Sequence, residues 1–346
     1  MPFVKANAVV PSVMNIRVLQ VGLGPIGVAV ARQVVSRRGF QLVGAVDIDP
    51  QKRGRDVATV LGLERALGLE IGADITKAIR AAKPDVAVLC TASSLRSALP
   101  AMEEVLRRRV PIVTTTEEAA YPAPRNRRLA TRLDAAAREA GVAVLGTGVN
   151  PGFTMDVLPI ALSAACERVD RVEVWRVQDA RIRRQPFQQK IGAGMTPAEF
   201  GLGVEEGRVR HVGFTESIQM IGDALGWRLD RITDVVAPKI ATAPIDSEFF
   251  SVRRGHVAGL VQEGVGYTKG ERRIVLHLEA YLGAPESYDS VLIEGSPRLH
   301  SKIEGGIHGD IATASVTVNA IPAVIVAPPG LRTMRDMRLP SFYGGR

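Results

Sequence analysis

A chain of 346 residues is longer than a single hydrophobic core usually stays compact, so its length favours two domains. A content of 46% hydrophobic and 23% charged residues is typical of a folded globular protein and excludes a disordered or repetitive chain. The formal net charge is +8, but the 44 Lys and Arg residues are scattered among 36 acidic residues, and only 5% of residues are aromatic. No nucleic-acid-binding surface is therefore expected.

Neither a membrane segment nor a metal site is predicted. Residues 1–13 lack the sustained apolar core of a signal peptide, and no run reaches the roughly 18 apolar residues of a membrane-spanning helix. Cys90 and Cys166 have no metal-ligand spacing and are expected to be reduced thiols, and the five histidines form no i, i+4 pair. These features predict a cytoplasmic protein.

The first half of the chain alternates strand-like and helix-like segments. Apolar runs predict strands over 16–22, 41–47, 84–90, 110–114 and 142–147. Helical spacing predicts helices over 25–38, 51–62, 74–82, 95–108 and 123–140. This alternation is typical of a doubly wound α/β fold with a parallel sheet, and it predicts a Rossmann-type dinucleotide-binding domain in residues 1–150.

The pattern changes after Gly152. Alternating runs at 171–177 and 272–282 predict a mixed, partly antiparallel sheet, so residues 151–330 are expected to form a second, α+β domain for substrate binding and dimerisation. A homodimer is expected because a symmetric partner is the commonest cover for an open sheet face.

The end of the chain carries a long apolar run. Residues 311–326 predict a helix, and Pro322 is expected to end it. The tail from about residue 330 is expected to pack back on the first domain.

A glycine-rich turn follows the first strand. Residues 16–27 read IRVLQVGLGPIG, and the Gly-x-Gly-x-x-Gly turn leads directly into a helix. Gly22 permits the tight turn, Gly24 lets backbone N–H groups approach a pyrophosphate, and Gly27 allows close helix packing. This strand–turn–helix context disfavours a loop that merely needs positive φ. The turn predicts five cofactor-binding residues, Gly22, Gly24, Pro25, Ile26 and Gly27.

The second strand ends in Asp47, 20 positions after Gly27. An acidic side chain at this distance can accept hydrogen bonds from the ribose 2′-hydroxyl of NAD. Lys52, Arg53 and Arg55 follow where a 2′-phosphate would lie, so NADP remains open. The third strand ends in small polar residues that are expected under the nicotinamide ribose, although a plain helix N-cap also explains them. These residues are Thr91, Ala92 and Ser93.

Two adjacent acids follow the fourth strand. Glu117 and Glu118 in VPIVTTTEEAAYP lie at the carboxyl end of a parallel strand, where doubly wound sheets present their ligands. The alternative is that they occupy the first turn of a helix begun by Thr116, which applies to Glu118 more than to Glu117. Hydride transfer to a nicotinamide requires a base beside it, and a carboxylate suits an amine better than an alcohol.

The strings GLGPIG, VDIDP, VTTTEEAAYP, GTGVNPGFTMDVLP and GGIHGDIATA resemble the 2,4-diaminopentanoate dehydrogenases and the related native amine dehydrogenases, which are built like dihydrodipicolinate reductase. The resemblance spans nearly the whole chain, and GVNPGF and GDIAT are more specific than the glycine turn. It implies NAD(P)-dependent, reversible oxidative deamination of a primary amine to a ketone and ammonia. It also implies a glutamate acid/base, for which we favour Glu117.

Further polar residues are candidates for the pocket. The resemblance implies that Asn150 faces the nicotinamide and that Phe153 lines the substrate pocket, whereas a tight turn alone would not require either residue. Arg176 and His277 interrupt buried strand patterns, so they are either paired in the core or hold a second polar group of the substrate. Asp310 lies at the start of a helix. The resemblance implies that the N-terminus of this helix lies on the cofactor side, and no catalytic role is expected for Asp310.

Three other functions share parts of this sequence pattern. Dihydrodipicolinate reductase carries a paired-histidine segment and a Lys followed by a Ser-Gly-Thr loop, which this chain lacks. Homoserine dehydrogenase carries a lysine near the position where this chain has Glu117, which disfavours that function here. A non-catalytic dinucleotide sensor would not need the carboxylate pair. The sequence leaves open which amine is the substrate.

Overall fold

The structure, a computed structural model, describes residues 15–121 and 126–344. Strands β1–β6 have the bounds Ile16–Val21, Phe40–Val46, Ile71–Gly72, Val86–Leu89, Ile112–Thr114 and Ala143–Gly146. Strands β7–β15 have the bounds Arg168–Asp179, Arg231–Ile240, Ile245–Asp246, Ser251–Val252, Val257–Thr268, Glu271–Tyr281, Tyr288–Ser296, Leu299–Glu304 and Gly330–Arg332.

Helices lie between most of these strands. Helices α1–α5 have the bounds Pro25–Ser36, Val57–Leu61, Ile75–Ala82, Leu95–Leu106 and Arg127–Ala140. Helices α6–α10 have the bounds Val157–Ser163, Gln185–Lys190, Pro197–Glu205, Phe214–Ala224 and Gly309–Ile325. Within the described ranges, none of the helices combines the length and the apolar composition needed to cross a membrane.

The first sheet is parallel throughout, with the strand order β15-β6-β5-β4-β1-β2-β3. Val18, Val88 and Val113 on its central strands are completely buried, because helices cover both faces. This arrangement confirms the predicted doubly wound fold. The strand order changes direction between β1 and β4. In such sheets, ligands bind at the carboxyl ends of the strands at this switch point.

Several element boundaries differ from the sequence prediction. Helix α2 begins at Val57 rather than at residue 51, because Gly54 has a φ of +74° and Asp56 caps the helix. The predicted start of α5 at 123–125 lies outside the described residues. The short strands β3 and β15 were not predicted, since two or three residues leave no periodicity to read.

Helix α10 packs on the first sheet, although residues up to 330 were expected in the second domain. Ala314, Val318 and Ile321 share a core with Val18 and Val30. The helix also continues past Pro322 to Ile325, contrary to the prediction, because a proline in the last turn removes only the hydrogen bond of its own missing N–H. Strand β15 then pairs with β6.

The second sheet has the order β14-β13-β7-β12-β11-β8 and is mixed, as predicted. Strands β7 and β12 are parallel, and the other neighbouring pairs are antiparallel. Its inner face packs against α9, and Val174 and Leu276 share one hydrophobic core with Phe214 and Ile218. The opposite face, which we call the outer face, carries half-buried Trp175 and His277.

Candidate active site between the two sheets

A cavity of about 370 Å³ lies between the carboxyl ends of the first sheet and the inner face of the second. The first sheet contributes the glycine turn and the residues that follow β4, β5 and β6. The second sheet contributes the ends of β7 and β12, the segment around α7, and the loop before α9. The cavity wall therefore contains residues from both halves of the chain.

The glycine turn has the shape that a dinucleotide requires. Gly22 has a φ of +85°, and a Cβ there would lie 2.5 Å from the carbonyl oxygen of Cys90. A Cβ at Gly27 would lie 2.0 Å from the carbonyl oxygen of Gly22, whereas the space around Gly24 is open to 4 Å. Pro25 and Ile26, in the first turn of α1, line the cavity. These residues fit a pyrophosphate at the helix N-terminus.

Asp47 follows β2 and faces the glycine turn. Its Oδ2 accepts a 2.6 Å hydrogen bond from the N–H of Leu23, and its Oδ1 accepts one from the N–H of Asp49 at 2.8 Å. Lys52 Nζ lies 3.4 Å from Oδ2. Arg53 instead donates to the carbonyl of Ile48. The nearly buried carboxylate is therefore fixed in the position that suits a ribose hydroxyl.

The two adjacent glutamates have different positions. Glu117 lines the cavity, where its Oε1 lies 3.7 Å from Nζ of Lys190. Glu118 Oε2 accepts a 2.9 Å hydrogen bond from the N–H of Leu95, and its own N–H donates to the carbonyl of Ser93. Glu118 thus caps α4, and the sequence prediction of a catalytic role for it is not supported by this position.

The turn that carries Glu117 is held by packing and hydrogen bonds. Thr114 Oγ1 donates to the carbonyl of Leu89 at 3.0 Å and lies 2.9 Å from Thr116 Oγ1. Behind the turn, a Cβ at Gly146 would lie 2.4 Å from the carbonyl carbon of Ala119. The backbone on both sides is therefore fixed, and Glu117 begins from a fixed point on the cavity wall.

The second sheet supplies a basic wall. Arg176, predicted as a pocket residue, lines the cavity and also forms a buried 2.6 Å ion pair with Asp289. Arg183 and Arg184 reach Asp310 at 3.0 and 2.8 Å. Burial alone would raise the pKa of Asp310, but hydrogen bonds and charge from the two arginines lower it to about 2. Asp310 is therefore a structural anion at the start of α10.

Two other predicted pocket residues lie elsewhere. Leu278 lines the cavity, and because neighbouring strand residues point to opposite faces, His277 lies on the outer face. The His277 ring packs against Trp175, with 4.1 Å between the ring centroids and a tilt of 39° between the planes, and its Nε2 lies 3.1 Å from Glu279. Phe153 packs against the core of the first sheet and is not among the cavity-lining residues that the structure describes. The structure therefore brings neither residue to the cavity wall.

Three buried polar atoms on the cavity wall have no hydrogen-bond partner among the described residues. They are Thr147 Oγ1, Asn150 Oδ1 and His211 Nε2. A buried polar group without a partner costs about 1–3 kcal/mol, so this wall fits a ligand that supplies the missing partners. The predicted residues Thr91, Ala92 and Ser93 line the same cavity. In the described part of the chain, no cluster of three or more His, Cys, Asp or Glu side chains could hold a metal ion.

His211 and Lys190 were not predicted from the sequence. Both lie in segments without periodicity, where a lone polar residue gives no signal. One indirect signal exists, since Gln262 interrupts the apolar run of β11 and is completely buried. Its side-chain amide binds the backbone of His211 on both sides.

Comparison with known proteins agrees with this geometry. The family model of the 2,4-diaminopentanoate dehydrogenase C-terminal domain matches residues 153–345. The chain is 34% identical over 343 residues to 2,4-diaminopentanoate dehydrogenase from Acetoanaerobium sticklandii, with 96% of each chain covered. The structure of an amine dehydrogenase from Mycobacterium smegmatis matches with a TM-score of 0.86 at 26% identity, covering 96% of this chain and 98% of that one.

A more distant structure shares the fold. Dihydrodipicolinate reductase from Paenisporosarcina sp. TG-14 matches with a TM-score of 0.52 at 14% identity, covering 93% of this chain and 99% of that one. The architecture predicted from the sequence is thereby confirmed, and so is the resemblance on which it was based. The chain belongs to the 2,4-diaminopentanoate dehydrogenase family of NAD(P)-dependent oxidoreductases that act on amines.

Proposed function

We propose that this chain catalyses the reversible oxidative deamination of a primary amine to a ketone and ammonia, with Glu117 as its acid/base. The observation that carries the proposal is the Glu117 carboxylate on the wall of the cavity that the glycine turn also borders. NAD(P), when bound, supplies the hydride acceptor. An amine releases hydride readily only after its ammonium has lost a proton, so the reaction requires a base on this wall.

Glu117 meets two demands that an amine substrate makes on a base. Its negative charge attracts the ammonium, and its oxygen accepts the proton that must leave. Lys190, 3.7 Å from Oε1, gives the carboxylate a positive neighbour that holds it at the wall. In reductive amination the same oxygen returns the proton to nitrogen.

For the cofactor we propose NAD as the preferred form, with NADP as the alternative. Asp47 places a negative charge beside the glycine turn, where it suits a ribose hydroxyl and repels a 2′-phosphate. Lys52, which could attract that phosphate, is already paired with Asp47 and with Asp49. The nicotinamide end would lie against four residues of the wall, Thr91, Ala92, Ser93 and Asn150.

The second-sheet wall favours an amine that also carries a carboxylate remote from the reacting carbon. Three guanidinium groups reach the cavity wall, from Arg176, Arg183 and Arg184. Asp289 and Asp310 supply only two negative charges against them, so one positive charge is left to attract an anion. The Acetoanaerobium relative is named for 2,4-diaminopentanoate, an amine of this kind. A simple alkylamine is the alternative.

We also propose that the protein is a homodimer joined through the outer face of the second sheet. Trp175 and His277 pack against each other there, and Val235 on β8 is 63% exposed. Aromatic and apolar side chains at an exposed sheet face favour a symmetric partner. Sedimentation velocity tests this proposal, and a monomer at every concentration would contradict it.

The unpaired cysteines, Cys90 and Cys166, suit a cytoplasmic location.

The function is tested by following the oxidation of NADH and NADPH with a panel of ketones in high ammonium at alkaline pH. The panel includes 4-oxopentanoate, 2-amino-4-oxopentanoate and uncharged ketones. We expect ammonium-dependent turnover that Glu117→Gln lowers about 100-fold or more, since this substitution removes the proton acceptor and keeps the shape. A preference for the carboxylate-bearing ketones would support the proposed substrate class.

Glu118→Gln is the matched control. The amide oxygen of glutamine still accepts the hydrogen bond of the Leu95 N–H, so α4 keeps its cap and turnover stays near that of the wild type. Equal losses in the two variants would contradict the assignment of Glu117. Cofactor binding without turnover of any ketone would reject the amine dehydrogenase function.

A further inference from the structure

His211 has an unusually constrained backbone for a loop residue. Its N–H donates to Gln262 Oε1 at 2.8 Å, and its carbonyl accepts from Gln262 Nε2 at 3.0 Å. The same amide nitrogen donates to Asp234 Oδ1 at 2.8 Å. Gln262 is completely buried in β11, so this two-sided contact fixes the loop to the sheet.

The His211 ring is a neutral group on a charged wall. Burial lowers its pKa well below the usual range, and the positive charges of Lys190, Arg176 and Arg183 lower it further. The ring packs edge-on against Phe214, with 5.8 Å between the ring centroids. It also forms a hydrogen bond with the backbone of Asn150. A neutral imidazole that donates one N–H to a carbonyl keeps a lone pair on its other nitrogen.

The proposed reaction has a step that Glu117 alone does not serve. After hydride transfer, Glu117 holds the proton taken from the ammonium, and the substrate has become an iminium ion. Water must then attack the iminium carbon and lose a proton. Because this water becomes strongly acidic as it bonds to a cationic carbon, a weak base suffices, provided that it is unprotonated.

We propose that His211 is the second proton acceptor of this site and acts in the hydrolysis of the iminium. This inference rests on the proposed function. A C–O bond forms as the water loses a proton to the imidazole, and the π electrons of the C=N bond move to nitrogen. The imidazolium then protonates the amino nitrogen, the C–N bond breaks, and the hydroxyl proton leaves with the departing ammonia, which gives the ketone and ammonium.

The test compares wild type with His211→Gln in the deamination of an amine that the wild type turns over. Stopped-flow absorbance follows NADH through the first and later turnovers. The first hydride transfer is expected to stay within about twofold of the wild-type rate, while steady-state turnover falls about 100-fold. A burst of one NADH per site, absent from the wild type, would therefore precede slow turnover. The hydrogen bonds between Gln262 and residue 211 involve backbone atoms of residue 211, so the variant keeps this loop anchor.

A second measurement needs no hydride transfer. Enzyme with ketone, ammonium and isotopically labelled water exchanges the ketone oxygen through the iminium, and mass spectrometry measures the rate. We expect His211→Gln to slow this exchange by the same factor as steady-state turnover. His300→Gln on exposed β14 is the control and should leave both rates unchanged.

Several outcomes would overturn this inference. A parallel fall of burst and steady state would place His211 in hydride transfer or binding, and unchanged rates would leave it as part of the wall. Failure of the wild type to turn over any amine would reject the proposed function, and this inference with it.

Discussion

Replacing Asp289 by asparagine removes the counter-charge of a buried arginine. Asp289 Oδ1 pairs with Arg176 at 2.6 Å, and its Oδ2 accepts from the N–H of Ile307 at 2.7 Å. Both charged side chains are only 3% exposed. Asparagine carries no charge and offers one oxygen to these two donors, so Arg176 loses its counter-charge and keeps its hydrogen bond to the carbonyl of Ile307. Breaking a buried pair in this way costs about 3–5 kcal/mol, and we expect that loss of unfolding free energy.

Urea unfolding followed by tryptophan fluorescence measures this loss, because Trp175 lies next to Arg176 on β7. Glu263→Gln is the matched control, since Glu263 pairs with Arg272 at 2.8 Å with both side chains more than 40% exposed. An exposed pair contributes at most about 1 kcal/mol. If Asp289→Asn costs no more than the control, the argument from buried charge is refuted.

The same variant separates the two roles of Arg176. A ligand that binds the folded state stabilises it, and a carboxylate placed beside the unpaired arginine would bind Asp289→Asn more tightly than wild type. We therefore expect 4-oxopentanoate to restore part of the lost stability, whereas an uncharged ketone does not. Equal effects of the two ketones would mean that Arg176 serves the core alone.

Two further predictions concern other carboxylates. Asp47→Ser should raise the kcat/KM ratio of NADPH to NADH about tenfold, because it removes a charge that repels a 2′-phosphate and leaves Lys52 with Asp49 as its one carboxylate partner of the two, while Asp49→Ser keeps Asp47 and should leave the ratio near that of the wild type. Asp310 has a pKa lowered from 3.8 to about 2, so it stabilises the folded state by about 2 kcal/mol above pH about 4, and this stabilisation is lost as the pH falls through about 2. Asp310→Asn should therefore be less stable than wild type at pH 7 in urea unfolding, and the difference should shrink as the pH falls toward about 2. A constant difference would contradict this reasoning.

The elements that could be predicted from the sequence carry their signal locally. The parallel strands are short apolar runs, and the glycine turn and Asp47 lie at fixed distances from the first strand. Glu117 could be predicted as a site residue because it closely follows a predicted parallel strand. Each of these signals lies within about 30 residues, the span of one βαβ unit.

The prediction for His277 failed although the sequence contained a correcting signal. In β12 the residues Ile274, Leu276 and Leu278 alternate with Val275 and His277, and the first set is uniformly apolar. A sheet with one buried face turns its apolar set inward. This alternation assigns His277 to the outer face, where the structure places it. The position of Arg176 differs, because it shares a face with apolar Val172 and Val174.

Polar residues that interrupt an apolar strand face therefore indicate positions near the cavity in this fold. Arg176 and Gln178 end the apolar face of β7 where that strand reaches the cavity, and both line it. Gln262 interrupts β11 and anchors the loop that carries His211. A buried amide is costly unless each of its groups is bonded, so its partners are constrained to one arrangement. A loop residue without any pattern of its own, such as His211, can thus be located through the buried strand residue that holds its backbone.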